Sequence, residues 1–329
     1  MKNAPFWAGV RMRRTLAGTD PDSPERLISL PASWEDAAAS ALAALAGGAG
    51  PVGLAEAAEA WIRPLGERAA ASGLEIALAD RLRRLILARR GAPDAGLWQG
   101  RPDMVTRGAG SGFVLNLAQF HEPGLGFAVE SFGEAVETAS LALGLADPRL
   151  ADPRLADPRL ADPRLADPAL LTSGVRRIAV RIADFAGLLS ALGLDYRSAE
   201  ARSLGTAIAA LTRGRADAAS ARLSQLTGGV GAAGFAPSPL PPPLSRPGAC
   251  MEACMIPGLA EAAAAALAEA SAASALAHAA TTALAPAGPA EALLGVETAG
   301  IAPAFGPLRP EGGLTRAART WLAARGINP

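Results

Sequence analysis

Cysteine is nearly absent: Cys250 and Cys254, in the stretch GACMEACMIPG, are the only two among 329 residues. That excludes a disulfide framework and a four-cysteine zinc site. Histidine is as scarce, with His121 and His278 alone. A zinc site would need all four residues to converge from separate parts of the chain, whereas structural zinc ligands come in close pairs. The bland reading is two reduced thiols one turn apart on a short helix. Aromatic residues make up only 4% of the chain, and the 50% hydrophobic content is largely alanine, which favours helix more than it drives burial.

Net charge is missing too. With 31 basic and 31 acidic residues, the chain has no overall attraction to nucleic acid or anionic lipid, so either partner would need a local patch. The expectation is no nucleic acid and no membrane partner. The longest apolar tract, Ile256–Leu284, is broken by Glu261, Glu269 and His278 and predicts no transmembrane span. At the start, MKNAPFWAGVRMRRT places its basic residues after a short apolar piece, the wrong layout for a secretory signal. The expected location is cytoplasmic.

What is present is mostly helical pattern. SWEDAAASALAALA, residues 33–46, offers Ser33 as an N-cap with Asp36 three positions on. LAEAAEAWIRPL predicts a second helix that ends or kinks around Trp61–Arg63, because Pro64 lacks the amide the helix needs. Leu74, Leu78, Leu82 and Leu85 or Ile86 recur at helical spacing, and Gly91 stands where a C-terminal cap belongs. Arg81, Arg83, Arg84, Arg89 and Arg90 crowd the end of that helix and read as a solvated face that also suits the helix dipole. Four of the five tryptophans precede residue 100, implying a packed helical cluster in the N-terminal third.

GFVLNLAQF is the clearest β-like run of the first half, with a helix from Val129 to about Leu143 behind it. Residues 145–170 then repeat one pentapeptide five times, LADPR with a final LADPA. Proline at every fifth position rules out a continuous α-helix, and its placement does not suit a pentapeptide-repeat solenoid. The tract reads as an expanded loop, since loop length adds only about 0.6 kcal/mol per doubling. RRIAVRI predicts a short strand, followed by a helix ending near Gly193 and another from about Ser198. GGVGAAGFAPSPLPPPLSRP, residues 228–247, has linker composition. An alanine-rich helix over about Leu259–His278 and an amphipathic one in LTRAARTWLAARG complete the pattern.

Three segments carry a resemblance: VLNLAQFHEPGLGFAVESFGEAVETASLAL, RRIAVRIADFAGLLSALGLDYRSAEA and HAATTALAPAGPAEALLGVETAGIAPAF. In this order they resemble the large catalytic subunit of ribonucleotide reductases, most closely the adenosylcobalamin-dependent class, over about half the chain. The resemblance implies an α/β, mainly helical fold: a shortened ribonucleotide-reductase-like barrel fragment over 106–329, interrupted by the repeat and the linker, behind a helical N-terminal region over 1–105. It also implies adenosylcobalamin as the cofactor, and nucleotides or a reductase subunit as partners. Carried over from it is a nucleotide-phosphate loop at Thr281, Thr282, Pro286, Ala287 and Gly288, with Asn116 as a further polar candidate.

The departures weaken the chemistry. The family's Asn-x-Cys-x-Glu motif has no counterpart in DMVTRGAGSGFVLNLAQF, so no cysteine is placed to hold the radical. In APAGP the threonines of the family loop are replaced by Ala287 and Pro289, which removes two hydroxyls and an amide donor. Arg181 and Asp184 stand where the family has glycine. Phe185, Leu188, Leu189, Leu192 and Tyr196 read as core or capping positions. The resulting expectation is a degenerate, catalytically inactive homologue that keeps at most nucleotide or partner binding, with no catalytic and no metal residues. Two alternatives stand beside it. One is an active adenosylcobalamin-dependent reductase component supplied with thiols by a cysteine-bearing partner. The other is a helical scaffold using PSPLPPPLSRP as a polyproline ligand.

Overall fold

Met12–Ala17 (β1) and Arg26–Pro31 (β2) pair antiparallel, Met12 opposite Pro31 and Ala17 opposite Arg26. Val52–Gly53 (β3) joins β2 in parallel. The N-terminal region is therefore not wholly helical, which corrects the sequence expectation. In RLISLP, Ile28 and Leu30 are fully buried while Leu27 faces solvent, the period-two pattern of a half-buried strand. In β1 the same pattern is obscured by arginine. Arg13 spends its charge on the Trp34 carbonyl at 2.8 Å and on Asp36 at 2.7 Å. The structure, a computed structural model, describes residues 5–20, 22–100, 111–147, 176–226, 235–237, 251, 254–309 and 312–328.

Helix α1 (Asp36–Ala46) starts after Glu35, without the expected Ser33 cap. Helix α2 (Leu54–Ala71) runs straight past Pro64 instead of ending there. Its buried stripe of Leu54, Ala58, Trp61, Ile62, Leu65 and Ala69 continues on both sides of the proline, and burial of that stripe outweighs one lost backbone bond. Helix α3 (Leu78–Leu87) buries Leu78, Leu82, Leu85 and Ile86 as the spacing predicts. It is closed by Arg89 in a left-handed conformation (φ 53°), and Gly91 does not cap it. Gly91 instead opens β4 (Gly91–Pro93), where an added Cβ would lie 2.7 Å from the Phe113 ring.

After α4 (Ala95–Trp98), β5 (Ser111–Asn116) leads into a 3₁₀ turn at Leu117–Phe120 and a small hairpin of β6 (His121–Glu122) and β7 (Gly126–Phe127). Helix α5 (Val129–Ala146) is buried almost all round. Then come β8 (Arg177–Ala183), α6 (Phe185–Ala191), α7 (Ala199–Leu226), α8 (Leu259–Ser271), β9 (Ala280–Thr282), α9 (Pro289–Leu293) and α10 (Arg316–Ala324). Ser198 caps α7, its Oγ accepting from the Ala201 amide at 3.0 Å. Helix α8 stops at Ser271, short of the expected His278. The following residues turn back so that Leu276 bridges Phe235 and His278 is buried against Ser220 at 3.0 Å.

The central sheet has the order β4-β5-β8-β9, with β5, β8 and β9 parallel and β4 antiparallel. Helix α5 makes the crossover between β5 and β8, as a parallel pair requires. The fold is mixed α/β, about half helical, and none of the described sheets closes into a barrel. Most of the repeat at 145–170, most of the linker at 228–247, and Cys250 lie outside the described residues. No described helix is long and apolar enough to cross a membrane. At the crossing of α7 with α8, a Cβ on Gly214 would sit 2.6 Å from the Ala266 carbonyl carbon and 2.7 Å from the Leu267 amide. Gly214→Ala is accordingly expected to cost about 1–3 kcal/mol in urea unfolding, because backbone cannot step aside as a side chain can.

Candidate functional site

In open α/β sheets, ligands approach the carboxyl ends of the parallel strands, which here are formed by Asn116, Asp184 and the segment after β9. Asn116, the last residue of β5, is fully buried; its Nδ2 donates to the Leu294 carbonyl at 3.1 Å and its Oδ1 has no hydrogen-bond partner among the described residues. Asp184 follows β8 directly, is fully buried, and takes the left-handed conformation (φ 60°) that glycine adopts freely. Its carboxylate accepts from Thr298 Oγ1 at 3.1 Å and from the Arg316 guanidinium.

The five loop residues do not share one surface. Thr281 is buried, its hydroxyl donating to Asp217 on α7, and so serves the α7–β9 joint. Thr282 is half-buried and pairs with Val180 in the sheet. Pro286 and Ala287 are exposed. Gly288 is extended at φ −141°, and a Cβ there would meet nothing closer than Glu291 at 3.7 Å, so the position does not demand glycine.

The decisive side chain is one that motif reading passed over. Glu291 stands at the third position of α9, 7% exposed in its side chain, and its Oε2 accepts the Gly288 amide at 2.9 Å. Its other oxygen lies 3.5 Å from the Arg181 guanidinium, which is also paired with Asp94 beside β4. Arg181 is the fifth residue of β8 and lies over Gly112: a Cβ on Gly112 would overlap Asp94 and come within 3.6 Å of Arg181 Nε. Burial pushes the Asp94 carboxyl above its ordinary value, against the pull of Arg181. The signal that could have exposed Glu291 is the spacing Gly288-x-x-Glu291 with proline at the first helical position, a capping pattern.

No family model and no curated protein matches the chain. Two cavities lie away from the strand ends. One, of about 310 Å³, is lined by Met12, Arg14, Ser29 and the start of α2; the other, of about 270 Å³, lies beside Cys254 and Glu261. Burial pushes the Cys254 thiol up, away from the reactive thiolate. Among the described residues no three His, Cys, Asp or Glu side chains group as metal ligands.

The arginines at the end of α3 are joints and not a solvated face. Arg83 pairs with Glu59 at 2.7 Å, Arg81 with Glu137 at 3.1 Å, Arg90 with Glu122 at 3.1 Å and Arg89 with Glu35 at 2.6 Å. Arg89 also reaches the Leu293 carbonyl at 3.0 Å and lies 4.7 Å from the Trp34 ring, so it ties α1, α3 and α9 together. Of the five, Arg84 is the one left exposed.

Proposed function

We propose that the chain is a catalytically silent, ribonucleotide-reductase-like protein, a shortened relative of that barrel whose ligand-facing strand ends are closed by its own charged side chains. The observation that carries this reading is Glu291. A helix N-terminus after a loop with exposed amides is where a phosphate would bind. Here a carboxylate of the same chain already takes the amide of Gly288, and a phosphate would have to displace it against like charge. Arg181 and Asp184, at two positions where the resembled family carries glycine, support the same reading from the neighbouring strand. One sends a paired guanidinium across the sheet face; the other holds a glycine-like backbone conformation while carrying a buried charge.

Nucleoside di- and triphosphates and adenosylcobalamin are the ligands that test it. A bound ligand raises thermal stability by mass action, by about 2.7 kcal/mol at a hundredfold excess over Kd. The expected result is no shift of Tm with any of them. A rise of several degrees with one nucleotide that vanishes in Arg181→Ala would overturn the closed-site reading. Radical-dependent nucleotide reduction by the purified chain with adenosylcobalamin would overturn the silent one, and reduction only in a mixture with a cysteine-bearing large subunit would replace it with the two-component alternative.

A further inference from the structure

Long bare strand edges attract other strands, and proteins shorten or guard them. Most sheet edges among the described residues are short: β3 has two residues, β9 three, and β4 three with a proline at its end. Strand β1 is the exception. It is an edge strand of six residues, MRRTLA, with no proline and with an unbroken register against β2. The Ala32 amide donates to the Arg11 carbonyl at 2.8 Å, so the bonded pairs with β2 continue at Arg13–Leu30, Thr15–Ile28 and Ala17–Arg26. The amides and carbonyls of Met12, Arg14 and Leu16 therefore point away from β2, and they meet no other partner among the described residues.

The side chains along that edge are bare as well. Arg13, on the core face, is taken up by Asp36 and the Trp34 carbonyl, but Arg11 and Arg14 are exposed and make no ion pair among the described residues. Leu16 is 60% exposed and stands in register with Leu27, itself 39% exposed. The turn into β2 carries Asp22 and Glu25, both exposed and likewise outside any ion pair among the described residues.

We propose that β1 pairs antiparallel with β1 of a second copy of this chain, joining two three-stranded sheets into one. The charges choose both the partner and the direction. Each copy is basic at the start of the strand, at Arg11 and Arg14, and acidic in the turn that follows, at Asp22 and Glu25. An antiparallel copy lays each basic start beside the other's acidic turn, whereas a parallel copy sets like charges side by side. The outward backbone groups fix the register. Centred on Arg14, it would oppose two arginines; centred on Thr15, it sets Arg14 against Leu16 of the other copy and Met12 against Gly18, and bonds all three outward residues. The same patch serves both copies, so the contact closes at two and does not propagate.

Sedimentation equilibrium of the full chain, with amide hydrogen exchange at several protein concentrations, tests this pairing. A reversible monomer–dimer equilibrium that weakens with added salt is expected. Exchange at Met12, Arg14 and Leu16 is expected to slow with concentration, about tenfold when roughly nine-tenths of the chains are paired. Arg13 and Thr15, bonded to β2, keep one rate throughout and serve as the control. Arg14→Pro removes an outward amide without touching the ladder to β2, and is expected to give a monomer with the wild-type circular dichroism. Arg14→Glu, which leaves the backbone as it is, is expected to weaken the dimer, and Glu25→Arg added to it to restore the dimer. A chain that stays monomeric at millimolar concentration overturns the proposal, as does a dimer of unchanged strength in Arg14→Glu without protection at the three outward amides. A monomer that instead takes a strand of another protein onto this edge also overturns self-pairing.

Discussion

Phe132→Ala is expected to lower the stability of the fold by about 3–5 kcal/mol, read as a shift of the urea midpoint at constant slope. Phe132 sits in the first turns of α5, fully buried, with its ring centroid 5.2 Å from Phe120 in the 3₁₀ turn and 5.2 Å from Phe127 in β7. The pair with Phe120 is edge-to-face at 85°, the arrangement in which ring quadrupoles attract. Three rings from three nearby elements thus meet at one point in a chain with only eight phenylalanines. Truncation removes the transfer energy of the ring and leaves a void between the rings of Phe120 and Phe127. Phe132→Leu keeps most of the volume and is expected to cost about 1.5 kcal/mol or less. A loss below about 1 kcal/mol for Phe132→Ala would show that the cluster yields and is not the anchor of α5.

Glu59→Ala is expected to cost about 3–5 kcal/mol, the range for removing one partner of a buried ion pair. Glu59 on α2 is 7% exposed, accepts Arg83 Nε at 2.7 Å and Nη2 at 2.8 Å, and takes the Trp7 indole N–H at 2.8 Å. Its removal leaves the Trp7 indole N–H without that acceptor and the largely buried Arg83 guanidinium with only Asp80, at 2.7 Å, as a carboxylate partner. Replacing both charges, as in Glu59→Ala with Arg83→Met, is expected to recover most of the loss, because neither group is then left charged and unpaired. The hydrogen bonds from Arg83, with burial opposing them, hold the Glu59 carboxyl below the usual range. A depressed carboxylate contributes stability above its unfolded value and loses it as pH falls through the folded one. The deficit of Glu59→Ala should therefore be full at neutral pH and shrink in acid; a deficit that is the same at both would contradict the pairing.

These two residues differ in how far the bare sequence reveals them. The helix that carries Phe132 follows from the pattern after Gly126, and so does the buried stripe of α3, because both depend on neighbours three and four residues apart. The partner of Arg83 is 24 residues away, that of Arg81 is 56 away, and the Leu293 carbonyl that holds Arg89 is 204 away. Read locally, those arginines form a polar face; folded, they are the joints of the N-terminal region. Pro64 misleads in the opposite direction. Its local cost is real, but the stripe on both sides of it is bought back by burial against α3, α4 and α5.

The candidate site shows the same division. Thr281, Thr282 and Gly288 lie within one eight-residue stretch, yet the fold turns Thr281 toward Asp217 on α7 and leaves Pro286 and Ala287 in solvent. Glu291 and Arg181, 110 positions apart, become partners only because α9 packs against β4 and β5, beside β8.

By itself, then, the chain determined most of its longer helices and the central strands β5 and β8, its lack of a disulfide or thiol-rich framework, and the absence of a membrane-length helix among the described residues. Each follows from composition or from periodicity within one element, where the interacting residues are neighbours along the chain. The tertiary structure alone decided which charges are paired, that α2 continues past its proline, that a carboxylate fills the start of α9, and that Asp184 is sealed beneath the last helix. Those outcomes depend on residues separated by many tens of positions, and the energy of a buried charge is set by the partner that folding brings to it.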